Sequence, residues 1–415
     1  MQSSSNNYNL KSTGDFWLLG IGLVLLMYKS NRILFVRPIP ESLVYFFVLI
    51  LFIFYIRLNI KRFSKTSLFK ITSIFWITVI LWYDKFIVGT FDILGYICLC
   101  ITILGATVLI LATDKIKLWI LAFFTSCTQF IVAIGLFGWI LYLLKVPMPH
   151  YTDFSDAYYI HTIYYLFNMN GLPDLQLVPR FAGPFLEPGH LGTMCVFLLY
   201  LNRFALKKMG NIVLLVGVLF SLSLAAYGLL LGSIVIYLYQ QRKFLWISLI
   251  LGVFLCVGFG AMIYNDGDNA LNTAIVMRLE VNDDGEIAGN NRTSMAFDSA
   301  YARFLKSNQI WTGVGSAAFG THENGTDNIT LGCASYKRYF FLRGIIGSML
   351  IVIFLLFYCL YYRSSWSFGF FIVYLVANLI RDYPTMEMWM YLYLMAIPCL
   401  SLMQKQQIKI YILKL

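Results

Sequence analysis

Apolar runs succeed one another along almost the entire chain, at 16–36, 42–58, 68–83, 86–112, 117–144, 189–206, 211–224, 225–240, 244–264, 338–362, 366–380 and 389–403. A helix needs about 20 predominantly apolar residues to cross a hydrocarbon core, and most of these runs approach that length. Hydrophobic residues make up 60% of the chain and charged ones 12%, against roughly half and a quarter in a soluble domain, so a soluble enzyme is excluded. The expected fold is all-α: a polytopic integral-membrane bundle of eleven or twelve transmembrane helices, forming one membrane domain over 1–415. No zinc ribbon, P-loop or dinucleotide fingerprint interrupts the pattern. The net charge of +11 reads as cytoplasmic loops and anionic lipid, not nucleic-acid binding.

The stretch 211–240 decides the count. As one helix it would be roughly 45 Å long at 1.5 Å per residue, more than one crossing. The small residues of Ser221-Leu222-Ser223-Leu224-Ala225-Ala226 permit a tight re-entry; the alternative is a single long tilted helix.

Two connections, 145–188 and 265–337, are far longer than the rest. Basic clusters at Arg57–Lys70, Arg203–Lys208, Arg242–Lys243 and Lys405–Lys414 mark the cytoplasmic side by the positive-inside rule. Alternating from them puts both long loops on the extracytoplasmic side and both termini in the cytoplasm. Only Lys29, Arg32 and Arg37, in the first hairpin, run against that bias. The second long loop carries an acidic surplus, as suits the outer side. The first residues lack a basic n-region and a cleavage site, so the first span is expected to remain as an anchor. Seven of the eight cysteines lie in apolar runs, and Cys333 sits in the second loop; no disulfide framework is implied.

Chemistry is expected at the ends of these loops. In Arg180-Phe-Ala-Gly-Pro-Phe-Leu-Glu-Pro-Gly-His-Leu-Gly, Pro188 suits the first position of a helix and Glu187 falls at its cap. Free N–H groups there form an anion site, and Arg180 can grip a phosphate with two parallel bonds. The alternative is that Glu187 caps its own helix and Arg180 reaches to lipid headgroups. A second string, Asn290 to Lys306, reads as an amphipathic helix with Arg292 and Arg303 on one face. Phe297, Tyr301 and Phe304 occupy another, expected to lie on the membrane surface. Trp311-Thr-Gly-Val-Gly-Ser makes a tight turn, His322 follows in a polar segment, and Lys337, Arg338 and Arg343 flank the outer start of the next helix. Asp92 is expected to slide to the interface, and Arg381-Asp382 reads as a local ion pair.

With its two long outer loops, the Arg-x-x-Gly and Glu-Pro-Gly pattern of 180–192, the split helix at Ser221–Gly228, Asn291-Arg292 with the 303–315 stretch, and Arg343-Gly-Ile-Ile-Gly347, the chain resembles the Wzy-type O-antigen and capsular polysaccharide polymerases. It is more loosely similar to the O-antigen ligases. The match covers roughly residues 170–350. The resemblance implies a bacterial inner-membrane glycosyltransferase that polymerises undecaprenyl-diphosphate-linked oligosaccharide repeat units at the outer face, without metal or other cofactor. Lipid-linked oligosaccharide and membrane lipid would be its partners, with room for a chain-length regulator. Arg180, Arg292 and Arg303 would hold diphosphate and offset the charge on the leaving group. Glu187 or His322 would act as base, the polymerase comparison favouring the first and the ligase comparison the second. His190, Lys337, Arg338 and Arg343 would complete substrate binding. The rival readings are a flippase or other transporter of lipid-linked glycan, which would carry charge or broken helices at the midplane, and a ligase.

Overall fold

The computed structural model describes residues 13–63, 66–88, 92–153, 161–170, 180–269, 272, 295–315, 335–381 and 383–406. They form a mostly helical bundle of α1 (Thr13–Ser30), α2 (Glu41–Phe63), α3 (Leu68–Tyr83), α4 (Ile93–Leu111), α5 (Asp114–Leu143), α6 (Pro188–Leu201), α7 (Met209–Phe220), α8 (Leu224–Gln240), α9 (Phe244–Ile263), α10 (Met295–Leu305), α11 (Ser335–Tyr362), α12 (Ser365–Ile380) and α13 (Glu387–Gln406). Five stretches, in α2, α4, α5, α9 and α11, are long and apolar enough to cross a membrane. Helix α9 leaves nearly all its side chains exposed, Leu245, Phe259 and Ile263 among them. Such a surface is unfavourable in water and suits lipid.

The bundle closes around α6 and α13, whose side chains from Leu191 to Leu201 and from Met388 to Leu400 are almost all buried. The break expected in 211–240 is present. Helix α7 ends at Phe220, Leu222 turns the chain with φ 45°, and the Ser223 hydroxyl accepts from the Ala226 N–H at 3.4 Å to start α8. Asp92 does lie at a helix end, where its carboxylate accepts from the N–H groups of Leu94 and Gly95 at 3.2 and 3.0 Å and caps α4.

Two features depart from the sequence reading. The first long connection is not wholly helical or irregular: β1 (Tyr151–Asp153), β2 (His161–Ile163) and β3 (Asn168–Asn170) form an antiparallel sheet in the order β1-β2-β3, with Thr152 opposite Thr162 and Thr162 opposite Met169. The ladder pairs backbone groups that a connection folded against the bundle would otherwise leave unsatisfied. Helix α10 also departs: Phe297 and Phe304 do not lie on a membrane surface but pack, with Tyr301, against Phe340 and Phe341 of α11.

Helix α11 is itself broken. Gly344 has φ 63° and ψ −169°, a region essentially reserved for glycine. The carbonyls of Phe341 and Leu342 accept from the N–H groups of Val314 and Gly315 at 2.9 and 3.2 Å, and the Ile346 N–H donates to the Trp311 carbonyl at 3.0 Å. The glycine-rich turn after α10 is thus threaded into the break.

Several contacts gather the connections at one end of the bundle. Leu34 N–H donates to the Pro184 carbonyl at 2.9 Å, Phe181 N–H to the Phe220 carbonyl at 3.0 Å, and Arg37 pairs with Asp153. Both long connections leave from this loop-rich end.

Candidate active site

The site is built on the first turn of α6. Asn168, at the start of β3, donates through Nδ2 to the carbonyls of Phe185 and Leu186 at 3.2 Å each. Its own N–H donates to the carbonyl of Gly183 at 2.7 Å, the glycine turning with φ 57°. These bonds from β3 hold the segment that leads to Glu187. Glu187 sits at the N-cap with extended backbone and Pro188 at the first helical position, but its side chain makes no cap hydrogen bond. It pairs instead with Arg381, at the end of α12. The guanidinium lies so close over the first turn of α6 that a Cβ at position 189 would displace it. A cation at a helix N-terminus is unfavourable on its own; the Glu187 carboxylate offsets it. His190, one residue on, lies edge-on to Tyr383 with ring centroids 5.5 Å apart.

Arg180 is anchored at the turn between α7 and α8. Its Nε donates to the carbonyl of Ser221 at 3.3 Å, at the α7–α8 tip. That tip leans on α6, because a Cβ at Gly192 would meet Ala226 and stand 3.1 Å from Ser221 Oγ. Arg180 is thus tied through Ser221 to the turn of α6 that holds Gly192.

Chain segment 381–387 extends the site. Thr385 Oγ1 lies 3.4 Å from Arg343 Nη2, Arg343 Nε donates to Asp84 Oδ1 at 2.5 Å, and the guanidinium lies over the Tyr339 ring at 4.6 Å. Glu387 Oε1 accepts from the hydroxyls of Tyr45 and Thr102, both at 2.8 Å. Asp84, Lys85, Thr102, Thr385 and Glu387 line a cavity of about 270 Å³. Arg381 and Thr385, four residues apart, are separated by at most about 14 Å of chain. The Glu187–Arg381 pair and the Arg343–Thr385 contact are therefore tethered to one short stretch of chain.

Comparison with family models, with curated proteins and with solved structures finds no match.

Of the residues singled out in the sequence, Arg180, Glu187 and His190 come together at α6, and Arg343 joins them through segment 381–387. Lys337 pairs with Asp298 at 2.8 Å and ties α11 to α10. Arg338 is exposed, and Arg303 is exposed on α10 away from its aromatic face. Arg292 and His322 lie outside the described residues. Asp382 does too, so a local pair with it lies outside them; Arg381 reaches across the bundle to Glu187. Asp84, Lys85 and Glu387 escaped the sequence reading, and Arg381 figures there only as a neighbour of Asp382. The available signal was position: each is an ionisable residue at the margin of an apolar run.

Proposed function

We propose that the chain is a multi-pass bacterial inner-membrane polymerase that transfers a growing glycan from one polyprenyl diphosphate onto the terminal sugar of a second lipid-linked repeat unit. In this reading all twelve long helices other than α10 cross the membrane, the loop-rich end is extracytoplasmic and both termini are cytoplasmic. Arg57, Lys61, Lys70, Arg203, Lys207, Lys208, Arg242, Lys243 and Lys405 then carry the cytoplasmic bias.

The observation that carries the proposal is the ion pair of Glu187 with Arg381 over the start of α6, beside Arg180 on the α7–α8 tip. Helices α6 and α7 have 14 and 12 residues, roughly 21 and 18 Å, against a hydrocarbon core of roughly 30 Å. With their far ends at the cytoplasmic interface, Glu187 and Ser221 lie recessed below the outer boundary, where a lipid diphosphate can be drawn in and water is scarce. There the acceptor hydroxyl attacks the anomeric carbon of the donor glycan. The bond from that carbon to the diphosphate oxygen breaks, and its electron pair leaves with the diphosphate. Arg180 faces the charge that develops. Glu187 receives the hydroxyl proton, and Arg381 holds the carboxylate in position.

Deletion of the gene should reduce the surface glycan to single repeat units on an electrophoretic gel. Complementation with Arg180→Ala or Glu187→Gln should leave that pattern while the protein stays in the membrane at wild-type level. A full ladder from Glu187→Gln alone would move the base to His322. Full ladders from both variants would end the polymerase reading.

A further inference from the structure

The end of the bundle opposite the candidate active site holds a cavity of about 700 Å³, within the size range of small-ligand pockets. It lies between the first turn of α5 and the last turns of α11 and α13, and Asp114, Leu360, Tyr361, Arg363 and Lys405 are among the residues that line it. Its rim is held in shape. Ser401 Oγ donates to the Tyr362 carbonyl at 3.0 Å and Ser364 Oγ to Gln404 Oε1 at 2.6 Å. The turn that carries Arg363 is thus fastened to the end of α13 that carries Lys405.

Charge divides this lining. Arg363 and Lys405 are exposed, and among the described residues neither pairs with a carboxylate. Asp114 is engaged elsewhere: its carboxylate lies 3.5 Å from the ammonium of Lys117, whose side chain is fully buried. Two cations are therefore left on the cavity wall without a counter-charge. The residues that follow in the chain, 407–415, bring Lys409 and Lys414 and no acid, so the adjoining sequence does not neutralise them.

The rest of the lining is apolar and faces outward. Phe357, Leu360 and Tyr361, at i, i+3 and i+4, share one face of α11. Leu360 is 55% and Tyr361 52% exposed, and the Tyr361 ring stacks on Phe69 of α3 with centroids 3.4 Å apart. Leu360 and Phe357 stand three and six residues behind Arg363, roughly 4.5 and 9 Å along the axis. Cations at the helix end with exposed apolar side chains one and two turns deeper repeat the order of a phospholipid, phosphate first and acyl chains beneath it. A soluble anion would meet the cations and leave the apolar face uncovered. The length of α11 agrees with this placement. From the break at Gly344 it runs through 345–362, about 18 residues or roughly 27 Å, close to the thickness of a hydrocarbon core. With the glycine-rich junction at one interface, Arg363 stands at the other.

We propose that this cavity binds the headgroup of an anionic glycerophospholipid from the leaflet on that side, its phosphate held by Arg363 and Lys405 and one acyl chain lying along Leu360 and Phe357. Basic pockets between membrane helices take such headgroups. The inference needs only that the bundle crosses a bilayer, so it stands or falls apart from the polymerase reading. In that reading the leaflet is the cytoplasmic one.

Native mass spectrometry of the full-length protein tests this, with the protein stripped of co-purified lipid and titrated with phosphatidylglycerol or phosphatidylethanolamine of the same acyl chains. The wild type should retain phosphatidylglycerol over phosphatidylethanolamine by about tenfold. Arg363→Gln and Lys405→Gln should each weaken retention of phosphatidylglycerol about fivefold, and together about thirtyfold, the scale set by one cation beside an anionic headgroup. Replacing Arg242 and Lys243, two exposed cations at the α8–α9 turn, with Gln should leave retention unchanged. Three results would overturn the proposal. Equal retention of the two lipids by the wild type would make the cavity a general lipid contact, and equal losses from the two double variants would reduce the effect to surface charge. Displacement of phosphatidylglycerol by an equal concentration of glycerol 3-phosphate would make it a site for a soluble anion.

Discussion

At the scale of single residues, the ion pair of Glu187 with Arg381 is asymmetric, and the asymmetry can be measured. Its two side chains are 23% and 12% exposed, enough burial for a lone charge to cost free energy. Removing Arg381 leaves a carboxylate at the N-terminus of α6, where the helix dipole favours it. Removing Glu187 leaves a guanidinium against the same positive end, where the dipole opposes it. Glu187→Ala should therefore lower the melting temperature in detergent more than Arg381→Ala, and the double variant should recover part of the loss. The cycle should give a coupling of about 1–3 kcal/mol. Equal losses that simply add would mean that the two groups do not interact. The sequence points to Glu187 through its Pro-Gly neighbourhood, which announces a helix start. It does not point to Arg381, because the partners are 194 positions apart and nothing local to Arg381 signals the contact. The contact of Asp84 with Arg343, 259 positions apart, escapes for the same reason.

At the scale of elements, hydropathy and punctuation locate each of the twelve long helices other than α10, because lipid-facing length leaves a run that can be read directly. The α7–α8 break was legible in its run of small residues. The three-residue strands of the first long connection were not, being too short for alternation to register against their surroundings. The junction between α10 and α11 was half legible. Gly313 and Gly315 stand out as turn residues, whereas Gly344 lies inside the run 338–362 that reads as one unbroken span, and the docking of the two segments is a meeting that no periodicity encodes. Gly344 is the point at which that junction fails or holds. A Cβ there would strike the backbone of Gly313 and Trp311 in a conformation reserved for glycine. Gly344→Ala should cost about 3 kcal/mol or more by combining backbone strain with a rigid clash. Size-exclusion chromatography of a fluorescent fusion should then show loss of the monodisperse peak. Gly228→Ala, where an added methyl meets open space, should keep it. A monodisperse Gly344→Ala protein would mean that the break in α11 is not needed for assembly.

At the scale of the whole molecule, sidedness links the bundle to the proposed chemistry. The first hairpin carries three cations at the loop-rich end, against the positive-inside bias, and two of them have partners there. Lys29 Nζ donates to the carbonyls of Arg37 and Ile39 at 3.3 and 2.6 Å, and Arg37 is held by Asp153. Cations engaged by the protein in this way are poorly placed to hold cytoplasmic anionic lipid, so they weigh little against the clusters at the opposite end. The bias then points one way, with Lys306 outside and Gln241, between α8 and α9, inside. A membrane-impermeant maleimide should label Lys306→Cys in intact cells, above the background of the unsubstituted protein. It should label Gln241→Cys only after permeabilisation. Both positions are exposed, so accessibility of the thiol does not bias the comparison. Labelling in the reverse order would turn Arg180, Glu187 and Arg343 toward the cytosol, where nucleotide-activated sugars are the available donors. A site built for a diphosphate carried by lipid would then have no substrate on its side of the membrane.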